Sequence, residues 1–174
     1  MVKEGNWFKR HWIISTILGI IVILIVIGAF LPGDSSSNAQ NNIDNTKINS
    51  EADYGDFMST QSNRLEVIMN GASSTFTKLS NDDISLKQAS DLIKTYKVEL
   101  EKVRINLVNY EPPEKYKDIH TRYIKAIDLI IEAMDLYSNG ILQINADLIE
   151  QGTQKIKEAN SEISTITEFI KVTA

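Results

Sequence analysis

The sequence predicts an all-α protein: a single N-terminal transmembrane helix, a flexible linker, and then an antiparallel up-down four-helix bundle. Three observations predict it. Residues 12–31, WIISTILGIIVILIVIGAFL, run for twenty residues without a charge. Residues 32–52 are rich in Ser, Asn and Asp and nearly free of apolar side chains. From Asp53 onward, apolar residues recur every three or four positions, and no stretch alternates with a period of two.

The first segment, residues 1–11, is a short basic tail with Lys3, Lys9 and Arg10 against Glu4. The apolar run after it would rise about 30 Å as a helix, the thickness of bilayer hydrocarbon. Ser15, Thr16, Gly19 and Gly28 interrupt it only mildly. Trp7, Phe8 and Trp12 stand where headgroups would lie. After the run, no basic residue occurs before Lys47. The charge bias therefore predicts a cytoplasmic N-terminus, a single pass through the cell membrane, and an extracytoplasmic remainder. Three other readings fit the segment less well. A signal peptide cleaved after Ser37-Asn38-Ala39 normally has a shorter apolar core. A pilin-type leader ends in Gly and carries an acid inside the run, whereas here Arg10-His11 precede a run with no acid. A soluble core helix this apolar all round would need a larger protein around it. Residues 32–52 cannot repay the entropy of ordering and read as a tether.

Residues 53–174 form one domain of ordinary size. Its first helix carries Tyr54, Phe57, Gln61, Leu65, Ile68, Ala72, Phe76 and Leu79, flanked by Met58 and Met69. Ser80-Asn81-Asp82-Asp83 break the pattern, and Ser85 with Gln88 forms a capping box for the second helix. That helix repeats Leu86, Ala89, Ile93, Tyr96, Leu100, Val103, Leu107 and Tyr110, the spacing of helices crossing at shallow, coiled-coil-like angles. Glu111-Pro112-Pro113 stop it, and Pro113 suits the first turn of the next helix. The third helix is expected to run from Tyr116 through His120, Tyr123, Ile127, Ile130, Met134, Tyr137, Ile141 and Ile144 to Leu148, as one helix with a weak point at Gly140 or as two collinear ones. Glu150-Gln151-Gly152 reads as a turn, followed by a last helix with Ile156, Ala159, Ile163, Ile166 and Ile170. Short joins favour an up-down bundle over a solenoid of helix pairs.

Function is less legible. The net charge is −5, and the acidic balance after residue 11 argues against nucleic-acid binding. No cysteine is present, which excludes disulfides and thiol chemistry. No Gly-rich phosphate loop and no Asp-x-Asp-x-Asp-Gly cation loop occurs. His120 has Tyr116 and Ile124 at i±4, and position 117 is Lys, so neither a metal pair nor a Glu-x-x-His motif is formed. No enzyme, cofactor or metal is therefore expected. Two candidate sites remain. Asp128, Glu132 and Asp135 form an acidic ridge on the third helix, a candidate partner surface. Lys115, Lys117, Arg122 and Lys125 form its basic counterpart. Tyr96, Tyr116, His120 and Tyr123 could line a groove between the second and third helices for a small molecule. The expected role is a membrane-anchored binding or scaffold module for a protein or cell-envelope partner. Its lipid contact is through residues 12–31, and a small-molecule receptor is the alternative.

Overall fold

The structure is a computed structural model and describes residues 51–173. It contains four α-helices: α1 Glu51–Ser80, α2 Leu86–Val108, α3 Lys117–Gln143 and α4 Ala146–Thr173. A 3-10 turn, Glu114–Tyr116, leads into α3. Among the described residues there is no strand. The basic tail, the apolar run 12–31 and all but the last two residues of the assigned linker lie outside the described residues. So does the side chain of Ile170. Among the described residues no helix is long and apolar enough to cross a membrane.

Pairs of contacts fix the helix directions. Asn106 near the end of α2 bonds Gln61 near the start of α1 at 3.4 Å, so these two run antiparallel. Lys97 meets Asp135 at 2.7 Å, and Arg104 meets the earlier Asp128, which sets α3 against α2. Glu162 reaches Arg122 while Lys155 reaches Glu132, which sets α4 against α3. Across the core, Tyr54 meets His120 at one end, and Phe76 meets Tyr137 edge-to-face near the other. Helices α1 and α3 are therefore parallel and diagonal, and the bundle runs up-down-up-down.

The core follows the stripe read from the sequence, except that Ile144 is exposed. Ala72, Phe76, Ala89, Ile93, Leu100, Leu107, Ile127, Ile130, Met134, Tyr137, Ile156 and Ala159 are fully buried. Ser85 caps α2 as expected: its hydroxyl accepts from the Gln88 N–H, and its own N–H donates to Gln88 Oε1 at 2.8 Å. The Pro pair acts slightly differently from the expectation. Pro113 precedes the 3-10 turn and its carbonyl accepts from the Tyr116 N–H, so α3 itself begins at Lys117.

The larger correction concerns the α3–α4 junction. Helix α3 stops at Gln143, short of Leu148, and Gly152 lies inside α4 instead of in a turn. The Asn145 N–H donates to Gly140 O at 2.9 Å and the Ile144 N–H to Ile141 O at 3.3 Å, the paired bonds of a Schellman end. Asn145 then caps α4, its Oδ1 accepting from the N–H groups of Asp147 and Leu148. Ile144 must adopt φ 52°, the left-handed region. A β-branched residue there costs roughly 1–2 kcal/mol, which is why nothing in the sequence marked this stop.

Gly140 and Gly152 have a packing role. Ala126, Ala133 and Gly140 on α3 recur every seven residues, as do Gly152 and Ala159 on α4. All five are buried, and the two helices approach closely along this seam. In contrast, no Cα atoms of α1 and α4 come within 8 Å among the described residues.

Candidate functional site

The charged candidates on α3 do not stand free. Asp128 pairs with Arg104 and Asp135 with Lys97, both on α2. Glu132 turns the other way and pairs with Lys155 on α4 at 2.7 Å. The ridge is thus divided between two helix interfaces and neutralised at each. These pairs hold Arg104, Lys97 and Lys155 charged, each through its hydrogen bond to the facing carboxylate. The basic counterpart is used the same way. Lys125 and Arg122 converge on Glu162 at 2.6 and 3.1 Å, and the bond from Lys125 is the main force lowering the Glu162 pKa. Lys115 turns to Glu51 on α1 at 3.6 Å, and Lys117 to Glu114. Arg122 also pairs with Asp118 one turn earlier on α3, at 3.1 Å. Such solvent-facing pairs are screened by water and orient the helices more than they stabilise them.

The four groove candidates separate into three places. Tyr96 lies over Gly71 of α1, where an added Cβ would meet the ring at 2.6 Å. Tyr123 is buried and its hydroxyl bonds Ser62 at 3.3 Å; burial pushes its pKa up to about 12. Tyr116 and His120 do come together, in an aromatic cluster at the end of the bundle where residue 51 enters. Tyr116 stacks on Tyr54 at 5.0 Å and donates its hydroxyl to Glu51 at 3.1 Å. Phe57 stacks on Tyr110 at 3.9 Å.

His120 is the hub of that cluster. A carbonyl can only accept, so Nε2–H donates to Leu107 O at 2.9 Å. Nδ1 is then the lone-pair nitrogen and accepts from the Tyr54 hydroxyl at 3.3 Å. One imidazole therefore joins α1 and the end of α2 to α3. Tyr54, Phe57 and Tyr110 belong to this cluster but were missed as site residues. The available signal was positional. The Pro-Pro stop places Tyr110 and Tyr116 at one end of the bundle, where an antiparallel first helix must also begin. The Tyr110 hydroxyl is buried without a hydrogen-bond partner.

Burial lowers the His120 pKa, partly offset by its bond to Leu107. The groups facing it are Tyr54 from α1 and Tyr110 from the α2 end, with Tyr116 stacked on the Tyr54 ring. Above about pH 6.5 the histidine is neutral in folded and unfolded chains alike. As pH falls below that value the unfolded chain takes up the proton first, so stability drops with falling pH until the depressed folded pKa is reached. The urea midpoint should fall from pH 7 to pH 5.5. A His120→Gln variant should lose most of that slope, and an unchanged slope would place its origin elsewhere.

Among the described residues no group of three or more His, Cys, Asp or Glu side chains could hold a metal ion. Together these features define a self-satisfied four-helix-bundle domain whose polar side chains mostly bind one another. The chain belongs to the family described as Domain of unknown function (DUF7018), whose model matches residues 49–164. No curated protein and no solved structure matches the chain.

Proposed function

We propose that the chain is a single-pass, membrane-anchored helical binding or scaffold module that performs no chemistry. In this reading residues 12–31 cross the cell membrane, residues 1–11 are cytoplasmic, and the bundle lies outside on its tether. It meets a protein or other cell-envelope macromolecule there, and no nucleic acid. The observation that carries the reading is the uncharged run 12–31, with Lys9 and Arg10 before it and no basic residue after it until Lys47. The bundle's own geometry supports the non-enzymatic part. Its single histidine has both ring nitrogens engaged, and its best-placed acids face lysine or arginine.

The small-molecule alternative now rests on one feature, the partnerless Tyr110 hydroxyl inside the aromatic cluster. It draws little support from Tyr96 and Tyr123, which lie elsewhere. A metabolite that raises the melting temperature of the full chain, but not of a Tyr110→Phe variant, would favour it.

Topology is the first test. Protease added to intact cells should digest a C-terminal tag and spare an N-terminal one. A protected C-terminus would sink the orientation. Domain released to the medium with a new terminus near Ala39 would replace the anchor with a cleaved signal.

A further inference from the structure

The two turns at the end of the bundle opposite residue 51 carry the feature that the fold itself does not require. Because α1 and α3 are parallel, the α1–α2 turn and the α3–α4 turn share this tip. Leu142 is 49% exposed and Ile144 48% exposed, with Ile84 half-buried in the neighbouring turn. Ile144 occupies the left-handed position of the Schellman end, where glycine or asparagine is the unstrained choice. The other left-handed residue of the domain, Asp82, sits in the adjacent turn and is of a type that tolerates it. The tip therefore keeps a solvent-facing isoleucine at a conformational penalty that burial does not offset.

Charge at the tip is mostly acidic. Asp82, Asp83, Asp147 and Glu150 lie in or beside the two turns, and all are exposed. The nearest basic residues are Lys78, in the last turn of α1, and Lys87, in the first turn of α2 and paired with Asp91; no Lys or Arg occurs at 126–154. The chain toward the apolar run leaves from the opposite end, and α1 alone is 30 residues long. The tip thus stands about 45 Å beyond the point where the tether enters.

We infer that this tip is the docking surface of the module. Leu142 and Ile144 insert into an apolar pocket on a partner protein whose rim carries Lys and Arg side chains opposite the tip's carboxylates. The left-handed turn is what pushes Ile144 outward, and the acidic surround selects a basic rim and repels anionic lipid and a second copy of the same tip. The inference deepens the binding-module reading and rests on it, including the anchored orientation that points the tip outward.

The test uses the full chain in intact cells, with Leu142 replaced by the photo-cross-linker p-benzoylphenylalanine. Illumination should yield one protein adduct, with Lys or Arg flanking apolar residues in the cross-linked peptide. The same probe at Val98, exposed on the side of α2, should not give that adduct. Ile144→Gly and Ile144→Asn should each cut the adduct about tenfold or more, as expected for losing one buried isoleucine. Ile144→Gly should at the same time raise the melting temperature, because it relieves the left-handed strain. A variant that is more stable yet binds worse separates docking from folding. Asp83→Asn with Asp147→Asn should weaken the adduct as well. An adduct untouched by Ile144→Gly, one formed equally from Val98, one formed with lipid or with another copy of the chain, or none from folded protein would each overturn the inference. Protease access, scored on the same cells, reports the anchor separately. An accessible domain lacking the adduct sinks the tip alone. A protected domain that still cross-links through position 142 sinks the orientation alone.

Discussion

Phe76→Ala should lower the unfolding free energy by about 3–5 kcal/mol, read as a shift of the urea midpoint. Phe76 is 0% exposed and presents its edge to the Tyr137 ring, 5.3 Å away between centroids. Its ring pair ties α1 across the core to the far half of α3. Truncation removes the apolar area and the ring pair and leaves a cavity between those helices. Collapse cannot close the gap easily, since Tyr137 is held by Thr153 and by the backbone seam at Gly152. The loss therefore belongs in the upper part of the range for large-to-small changes. Val67→Ala on the same helix, 72% exposed, should change stability by under about 0.5 kcal/mol. A cost below about 1 kcal/mol for Phe76→Ala would mean that α1 does not pack on α3 in solution.

The parts of this fold legible in the sequence are those where one local rule acts alone. The period of three and four identified nearly every buried position of α1 and α2, since an exposed polar face leaves the stripe unambiguous. Ser85 and Gln88 announced a helix start, and the Pro pair a stop, because capping and missing N–H groups act within a single turn. The α3–α4 junction failed for the opposite reason. The apolar rhythm passes straight through Ile141, Ile144 and Leu148, and the stop depends on a left-handed isoleucine that local preference disfavours. Tertiary packing of α4 back onto α3 overrides it. The candidate sites fared according to the same logic. That Asp128 and Asp135 face α2 while Glu132 faces α4 follows from which helices flank α3, and no spacing along one helix contains that information. Tyr116 and His120 are four apart and so share one end of the bundle in the sequence, whereas Tyr54, which touches both, and Tyr110 join them only once the bundle closes.

Gly152→Ala separates local from tertiary physics, because the two predict opposite signs. In a helix interior, replacing Gly by Ala gains about 0.8–1.0 kcal/mol of propensity. If residue 152 were in a surface turn, the change would be close to neutral. In the structure an added Cβ would sit 2.9 Å from Tyr137 Cε1, 3.0 Å from Cδ1 and 3.3 Å from the Ala133 carbonyl oxygen. None of these atoms can yield at low cost. The ring is fully buried against Phe76, its hydroxyl bonds Thr153 at 3.3 Å, and the carbonyl belongs to the α3 backbone. Relief requires α4 to move away from α3, which loosens the packing of Gly140 against Ile149 one turn along. Overpacking of this kind costs about 1–3 kcal/mol. It outweighs the propensity gain, and Gly152→Ala should destabilise the bundle by roughly 1 kcal/mol or more. Gly55→Ala supplies the control. It too is helical, but nothing lies within 4 Å of an added Cβ, so the propensity gain should appear undiminished. A stabilising Gly152→Ala would show that α3 and α4 are farther apart in solution than the small-residue seam allows.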